Sequence, residues 1–290
     1  MEVVMLVDFN NLLFRTLFAK DVAVHSPDPN YDLWRYLLYE SIFSQIKHIR
    51  ATEVVLAVDD PNSWRKSYFS RYKESRKNKR EKQKLDWKDI FGQMDSYLSD
   101  LKHHMPFKVL KIRSAEADDV IAVITQTIQP GENCVISSND EDYLQLCSKQ
   151  VKIWNPQKRK FVHHNHPSRF LLEKILMGQA KDDIFNIKTP SNYPAGKRKP
   201  PMGPETVKKV LAGGIKQWLI ENDYLDNFKR NQVLIDFNHI PLTIKNRVLK
   251  GYYEYSFPPP KNMYPFFQKY QMRGFLEDYH NVEARLLRLY

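Results

Sequence analysis

The chain has 290 residues, of which 45 are Lys or Arg and 34 are Asp or Glu, so its formal net charge is +11 at pH 7. With 42% hydrophobic and 13% aromatic residues it can bury a sizeable core, which excludes a wholly disordered chain. The apolar runs at 3–7, 54–58 and 120–124 are far shorter than the ~18 residues of a membrane span. Two cysteines exclude a disulfide framework and favour a reducing, cytoplasmic setting.

Strands and helices alternate along the first half of the sequence. Short apolar runs rich in β-branched residues predict buried strands over residues 3–7, 54–58, 107–112 and 134–136. Helical spacing of apolar residues predicts helices over 11–19, 33–48, 87–101 and 116–128. This alternation predicts an α/β fold with a mostly parallel central sheet flanked by helices.

From residue 171 onward the pattern is mainly helical, with breaks at 190–203, 213–214 and 258–260. We therefore divide the chain into an α/β domain of residues 1–180 and a helical C-terminal region of residues 181–290. The last helical tail is rich in aromatic residues, which either dock a partner protein or belong to the core. We favour the core for this set, which comprises Tyr264, Phe266, Phe267, Tyr270 and Phe275.

The positive charge is concentrated in two segments. Residues 65–84 hold ten basic and two acidic residues, with Trp64, Tyr68, Phe69 and Tyr72 beside them, and residues 197–209 hold five basic residues and one acidic. Such a run is either a solvated helix face or a nucleic-acid contact. Rings interleaved with cations suit backbone tracking and base stacking, so the two segments favour a nucleic-acid partner.

Acidic residues follow each of the four predicted strands: Asp8, then Asp59, then Glu116, Asp118 and Asp119, then Asp140 and Asp142. Because the carboxyl ends of parallel strands meet at one edge of a sheet, we expect these seven carboxylates in one crevice. Any single one of them could simply cap a helix. Together they repel one another, and oxygen ligands without His or Cys fit Mg²⁺ or Mn²⁺. The pattern predicts metal-assisted phosphodiester hydrolysis.

Six motifs also occur in a recognisable order: LVDFNNLLFRTLFA, AVDD followed by WRKSYFSRYKESR, SAEADDVIAV, SSNDEDYLQL, GQAKDDIFNI and GPETVKKVL. Together they resemble the flap endonuclease / 5′ nuclease family. The segments GKRKPPMGPETVKKVL and NQVLIDFNHIP are similar to its T-even phage ribonuclease H subgroup, so the resemblance covers nearly the whole chain. It implies a PIN-like 5′ nuclease core, a helical arch over residues 62–84 and a helix-turn-helix duplex-binding motif near residues 203–212.

The resemblance also implies roles for particular residues. It implies two Mg²⁺ ions, for which Mn²⁺ substitutes, held by Asp8, Asp59, Glu116, Asp118, Asp119, Asp140, Asp142 and Asp182. Asp119 could instead cap the helix that follows it. Catalytic roles fall on Lys73, Arg76, Asp118 and Asp140. Nucleic-acid contacts fall on Arg65, Lys66, Arg71, Tyr72, Lys77, Lys197, Arg198, Lys199, Gly203, Lys208 and Lys209.

Three departures from the family pattern stand out. Gln179 replaces a usual acid, which predicts a weaker second metal site, and Asp183 replaces a usual Asn. A Pro-rich basic insertion at 190–201 interrupts the duplex-binding motif.

The implied function is removal of RNA primers and short DNA flaps during phage replication, by a monomer in the host cytoplasm without a membrane role. The substrates would be DNA and RNA·DNA duplexes with 5′ ends or flaps, and a single-strand-binding protein or sliding clamp would be a partner. Two alternatives stay open. One is a PIN-type endoribonuclease, and the other is a non-catalytic structure-specific DNA-binding protein.

Overall fold

The computed structural model describes residues 2–26, 28–83, 85–194, 196–257 and 262–289. Within these ranges six strands form one sheet: β1 (Val3–Asp8), β2 (Glu53–Val58), β3 (Lys108–Lys111), β4 (Asn133–Ser137), β5 (Val151–Asn155) and β6 (Lys160–Val162). Their order is β3-β2-β1-β4-β5-β6, and only β6 is antiparallel to its neighbour. The α/β class and the mostly parallel sheet are confirmed, and the four predicted strands correspond to β1 to β4.

Six α-helices precede residue 130: α1 (Phe9–Leu17), α2 (Tyr31–Ile49), α3 (Trp64–Tyr68), α4 (Glu74–Lys82), α5 (Trp87–His104) and α6 (Ala117–Thr125). Most begin at a side chain that accepts a backbone N–H, which is a strong helix start signal. Asp8 caps α1 in this way, Asn30 caps α2, Ser63 caps α3 and Asp86 caps α5.

The later helices are α7 (Pro167–Met177), α8 (Pro204–Gly213), α9 (Ile215–Glu221), α10 (Leu225–Ile235), α11 (Leu242–Tyr253), α12 (Tyr264–Lys269), α13 (Arg273–Glu277) and α14 (Tyr279–Leu286). The mainly helical C-terminal region is confirmed. The predicted break at 258–260 lies outside the described residues. No helix in the described ranges is long and apolar enough to cross a membrane.

Alternate residues of the central strands enter two different cores. Met5 and Val7 of β1 pack with α1, α2 and α5, whereas Val4 and Leu6 pack with α6 and α11 on the opposite face. Strands of a parallel sheet that is covered on both faces are continuous apolar runs, which is why the sequence predicts β1, β2 and β4. The edge strand β3 has a lysine at each end and only one buried residue. In β5 only five residues are extended and one of them is an exposed lysine, so no such run marks it.

The aromatic tail belongs to the first core. Phe266, Phe267, Tyr270 and Phe275 are buried against side chains of α2 and α5, and only Tyr264 is exposed. The favoured core assignment is confirmed for these four residues, and they are not free to dock a partner. The division at residue 180 stays a prediction, although helices beyond it complete both cores.

Candidate active site

The acidic residues gather where the strand order of the sheet reverses. β1 lies between β2 and β4, so the loops that leave its carboxyl end and that of β4 run in opposite directions and open a crevice. Asp8 is the last residue of β1, and Asp140 caps the short helix that follows β4. Asp59 follows β2 and accepts the backbone N–H of Ala117 at 2.8 Å, which brings the first turn of α6 to the same edge.

Asp8 and Asp118 form a buried pair around one tyrosine hydroxyl. Tyr143 Oη lies 3.2 Å from Asp8 Oδ2 and 2.9 Å from Asp118 Oδ1, and Ser138 Oγ donates to Asp8 Oδ2 at 3.1 Å. The hydroxyl has a single proton, so it can donate fully to only one carboxylate. Burial, with the Asp59 and Asp140 carboxylates, raises the pKa of Asp8 to about 7, and burial with Asp8 raises the pKa of Asp118. Ionisation of both carboxyl groups is therefore unfavourable as they stand, and a bound cation would stabilise the ionised pair.

Most of the other acids pair with basic side chains of the chain itself, and among the described residues Asp59 is the exception, since it accepts a backbone N–H instead. Lys73 contacts Glu116, and Arg76 contacts Asp182. Burial tends to raise the pKa of Glu116, but Lys73 and Arg65 outweigh it and hold that pKa at about 2. Within the described ranges, ion pairs form with these acids and not with Asp8 or Asp118.

Acids with a basic partner and acids without one therefore differ in how well they could bind a divalent ion. Among the residues with described coordinates, no three His, Cys, Asp or Glu side chains are arranged around one point as ready ligands. Asp8 and Asp118 nevertheless fit a hard cation, because their carboxyl oxygens lie around one hydroxyl and have no positive partner among the described residues. The acids that pair with lysine or arginine do not offer free oxygens in the same way.

Two predicted site residues have a structural role instead. Arg65 is 3% exposed, and its guanidinium contacts Glu116 at 3.1 Å and Asp119 at 2.8 Å and donates to the Leu234 carbonyl at 3.0 Å. Asp119 is fully buried and accepts the backbone N–H of Glu116 at 2.9 Å, closing the first turn of α6. In this structure Arg65 and Asp119 are partners of each other, which favours a structural role over the predicted nucleic-acid contact and metal ligation.

Tyr72 and Arg71 are also drawn into the protein. Tyr72 is 4% exposed and donates its hydroxyl to Glu116 at 2.8 Å, which favours a structural role over the predicted nucleic-acid contact. Arg71 is half-buried, donates to the Tyr193 carbonyl at 2.6 Å and lies over the Phe185 ring. Sequence alone could not show which face of this basic segment packs inward.

The remaining predicted nucleic-acid contacts lie at the surface. This exposed set consists of Lys66, Lys197, Arg198, Lys199, Lys208 and Lys209. Gly203 is the N-cap residue of α8, and Pro204 is its first residue. The first backbone N–H groups of a helix have no acceptor within the helix. At the start of α8 these donors lie near the basic side chains of the same segment. The side chain of Lys77 lies outside the described residues.

Helix α4 stands over the crevice and is bonded at its start to the loop at 178–183. Lys73 N–H donates to the Asp182 carbonyl at 2.9 Å, and Ser75 N–H donates to Asp183 Oδ2 at 2.8 Å. Between this helix and α5 lies a cavity of about 880 Å³ that runs from Asp59 to the rings of Trp87 and Phe91. No role for Asp183 outside the metal site could be inferred from the sequence, and in the structure its carboxylate accepts a hydrogen bond from the start of α4.

Replacing Asp183 should loosen α4. Asp183 has φ +57°, which glycine adopts without strain, so Asp183→Gly removes the acceptor without a steric penalty. Losing a cap costs about 1 kcal/mol, so trypsin should cleave residues 74–82 about five times faster. Asp183→Asn keeps a side-chain oxygen and tolerates this φ, and serves as the control. Equal cleavage rates for the two variants would contradict this role.

The sequence analysis did not identify Tyr143, Ser138, Lys174 and Lys181 as members of the site.

Replacing Tyr143 with phenylalanine removes only the hydroxyl that orients Asp8 and Asp118. Groups that orient ligands affect metal affinity by about 10- to 100-fold, so Mn²⁺ should bind that much more weakly. Tyr97→Phe, which removes another buried tyrosine hydroxyl bonded to the Arg35 carbonyl, should leave the affinity unchanged. Unaltered Mn²⁺ affinity in Tyr143→Phe would contradict the expectation.

An acidic crevice at the switch point of a parallel sheet, with a basic helix over it, defines the class of α/β nucleases. The family model described as "5′-3′ exonuclease, N-terminal resolvase-like domain" matches residues 3–174, and the one described as "T4 RNase H, C terminal" matches residues 167–281. The chain belongs to the 5′-3′ exonuclease family and carries a C-terminal region of the T4 RNase H type.

Individual relatives agree with this membership. The chain is 32% identical over 286 residues to Ribonuclease H of Enterobacteria phage T4, which covers 92% of each chain. It is 27% identical over 196 residues to the 5′-3′ exonuclease of Mycoplasmopsis pulmonis, covering 64% of this chain and 62% of that one.

Solved structures share the fold. The 5′-exonuclease of bacteriophage T5 with zinc ions bound superposes with a TM-score of 0.66 at 19% identity, over 87% of this chain and 99% of that one. A bacteriophage T5 flap endonuclease in a pseudo-enzyme–product complex with DNA and metal ions gives a TM-score of 0.63 at 20% identity, over 87% of this chain and 98% of that one.

Proposed function

We propose that this protein is a divalent-metal-dependent 5′ nuclease that hydrolyses phosphodiester bonds near 5′ ends and flaps. The observation that carries the proposal is the buried pair Asp8 and Asp118, which lacks a positive partner among the described residues, beneath a basic helix. The phage T4 relative is named a ribonuclease H and a phage T5 neighbour was solved with DNA and metal ions, which supports nucleic-acid substrates and a metal.

Different residues of the crevice would bind the metal ion and stabilise the phosphate. Asp8 and Asp118 would hold Mg²⁺, with Mn²⁺ as substitute, and a bound ion of this kind lowers the pKa of a water to supply the nucleophile. Lys73 Nζ contacts Glu116 and lies 4.0 Å from Asp182, so an ammonium is fixed beside the carboxylates. Arg76 is less buried, with 42% of its side chain exposed, and reaches the mouth of the crevice. Both place positive charge where a phosphate would develop negative charge.

The duplex would be bound by α8 and by the basic residues 197–199 that precede it. Helix N-terminal amides bind phosphate, and Gly203 and Pro204 leave these amides open. Lys209 is exposed beside them, and Lys208 pairs with Glu205 at 2.8 Å on the surface, a contact that a phosphate could replace.

The biological setting follows from the phage relative. We propose removal of RNA primers and short DNA segments during phage DNA replication, by a monomer in the host cytoplasm. A single-strand-binding protein or sliding clamp remains a proposed partner, and the buried aromatic tail is not its docking surface.

A nuclease assay tests the proposal. The purified protein is given a 5′-flap DNA, the same duplex with a 5′ RNA segment, and a single-stranded RNA, each with Mg²⁺, Mn²⁺ or EDTA. Metal-dependent cleavage at the flap junction or from the 5′ end supports the proposal. Cleavage of RNA alone would favour a PIN-type endoribonuclease, and binding without cleavage would favour a structure-specific DNA-binding protein.

A further inference from the structure

Two sets of carboxylates in the crevice have different kinds of partner. Asp8 and Asp118 have hydroxyl partners, as described above. Asp140 and Asp142 have amino and amide partners, because Lys181 contacts both, Lys174 contacts Asp142 at 2.5 Å, and Gln179 Nε2 donates to Asp142 at 2.7 Å.

Lys181 lies between the two carboxylates of the second set. Its ammonium is 2.7 and 2.8 Å from the two oxygens of Asp140 and 2.8 Å from Asp142 Oδ2, so it contacts three of the four oxygens. An ammonium in contact with three carboxylate oxygens offsets part of their negative charge through charge-assisted hydrogen bonds.

The backbone holds Lys181 in this place. Gln179 and Ile184 exchange two backbone hydrogen bonds, of 2.9 and 3.0 Å, across a tight turn that contains Lys181. Gly178, just before the turn, has φ +68°, and a Cβ there would lie 2.5 Å from the Ile184 carbonyl oxygen. The turn thus has one close-packed geometry, which fixes where the Lys181 side chain begins.

These contacts leave little room for a divalent ion at Asp140 and Asp142. The two carboxylate charges are matched by the two ammonium charges of Lys174 and Lys181. Gln179 presents its amide NH₂ to Asp142, whereas a metal ligand would have to present an accepting oxygen. A cation entering here would have to displace Lys181, since two positive charges among the same oxygens repel one another.

We infer that the Lys181 ammonium is a built-in replacement for a second divalent ion, so that the crevice binds a single exchangeable ion, at Asp8 and Asp118. The inference rests on the proposed function only in taking Asp8 and Asp118 as the metal ligands. With 45% of its side chain exposed, Lys181 also reaches solvent, where it supplies fixed positive charge to a substrate phosphate.

The test counts bound metal rather than product. Mn²⁺ is titrated into the wild-type protein without nucleic acid, and free Mn²⁺ is followed by electron paramagnetic resonance. We expect one tightly bound ion per chain. Lys181→Ala frees Asp140 and the Oδ2 atom of Asp142, whose Oδ1 atom still contacts Lys174 and Gln179. The double variant Lys181→Ala/Gln179→Asp also replaces the Gln179 amide with an oxygen ligand. A second ion should bind at least tenfold more tightly in the double variant than in the wild type.

The control is Lys216→Ala, which removes the same charge from an exposed position of α9 and should still bind one ion. Two tightly bound ions in the wild type would overturn the inference, and so would failure of both the single and the double variant to gain an ion. Asp8→Asn should abolish binding of the single ion, and retained binding would also overturn it. The flap assay tests the proposed function independently of the metal titration. If the wild-type protein binds one ion but cleaves no substrate, the proposed function is contradicted and the inference of a single ion is not.

Discussion

Replacing Asp118 with asparagine should lower kcat on a 5′-flap substrate by ~10³-fold, equivalent to about 4 kcal/mol of transition-state stabilisation. Asparagine preserves the size of the side chain and can still accept from Tyr143, but it removes one of the two charges that face each other around that hydroxyl. Because we propose that α8 and its basic neighbours, and not Asp118, bind the duplex, the Kd for DNA should stay within about twofold of the wild type in EDTA.

Single-turnover cleavage in Mg²⁺ measures the first effect, and DNA binding in EDTA measures the second. Asp226→Asn makes the same chemical change on α10, where the side chain is fully exposed, and should leave kcat unaltered. A wild-type rate in Asp118→Asn would refute the assignment of the site. A large loss of DNA affinity would mean that Asp118 supports the fold and not the reaction.

Replacing Arg65 with methionine should lower the free energy of unfolding by about 3–5 kcal/mol, since removing one partner of a buried ion pair leaves a buried charge without compensation. Arg65 is the common partner of Glu116 and Asp119, both of which are buried, so two carboxylates lose it at once. Methionine preserves most of the apolar stem of the side chain, which isolates the loss of the guanidinium.

Urea unfolding followed by circular dichroism measures the difference. Lys66→Met, at the next position on the exposed side of α3, should change stability by no more than about 0.5 kcal/mol. Arg65→Lys preserves the charge without the planar fork and should fall between the two. A loss below about 1 kcal/mol in Arg65→Met would show that Glu116 and Asp119 find other partners.

Much of the acidic edge could be predicted because it depends on periodicity alone. An apolar run followed by an acid places that acid at the carboxyl end of a strand, and parallel pairing brings Asp8, Asp59 and Asp140 to one crevice whatever the loops do. The partners of those acids could not be predicted in this way. Tyr143 reaches Asp8 across 135 positions of the chain, and no local pattern encodes that distance.

The differences between the predicted and the observed site concern residues whose charge is evident from the sequence, whereas the direction in which the side chain points is not. Arg65 and Lys66 are adjacent and basic, yet one is buried and the other exposed, because the helix turns about 100° between neighbours. Lys181 was overlooked for a related reason. In the sequence Lys181 stands beside Asp182 and Asp183, where a surface lysine that offsets their charge is the simplest interpretation. Its contact with Asp140 depends on the turn after Gly178 and is evident only in the structure.

Helix α4 has no buried side chain among those described in it, although both of its ends are bonded to the protein. At its far end the Arg80 carbonyl accepts from Trp87 Nε1 at 3.1 Å. Unwinding such a helix exposes almost no apolar surface, so its local opening should be nearly independent of urea, whereas opening of β1 uncovers both cores and should depend on urea steeply. Amide hydrogen exchange in low urea would then separate the two: protection at residues 76–82 stays level as urea rises, while protection in β1 falls. The arch could therefore change shape freely under conditions in which the acidic crevice beneath it keeps its geometry.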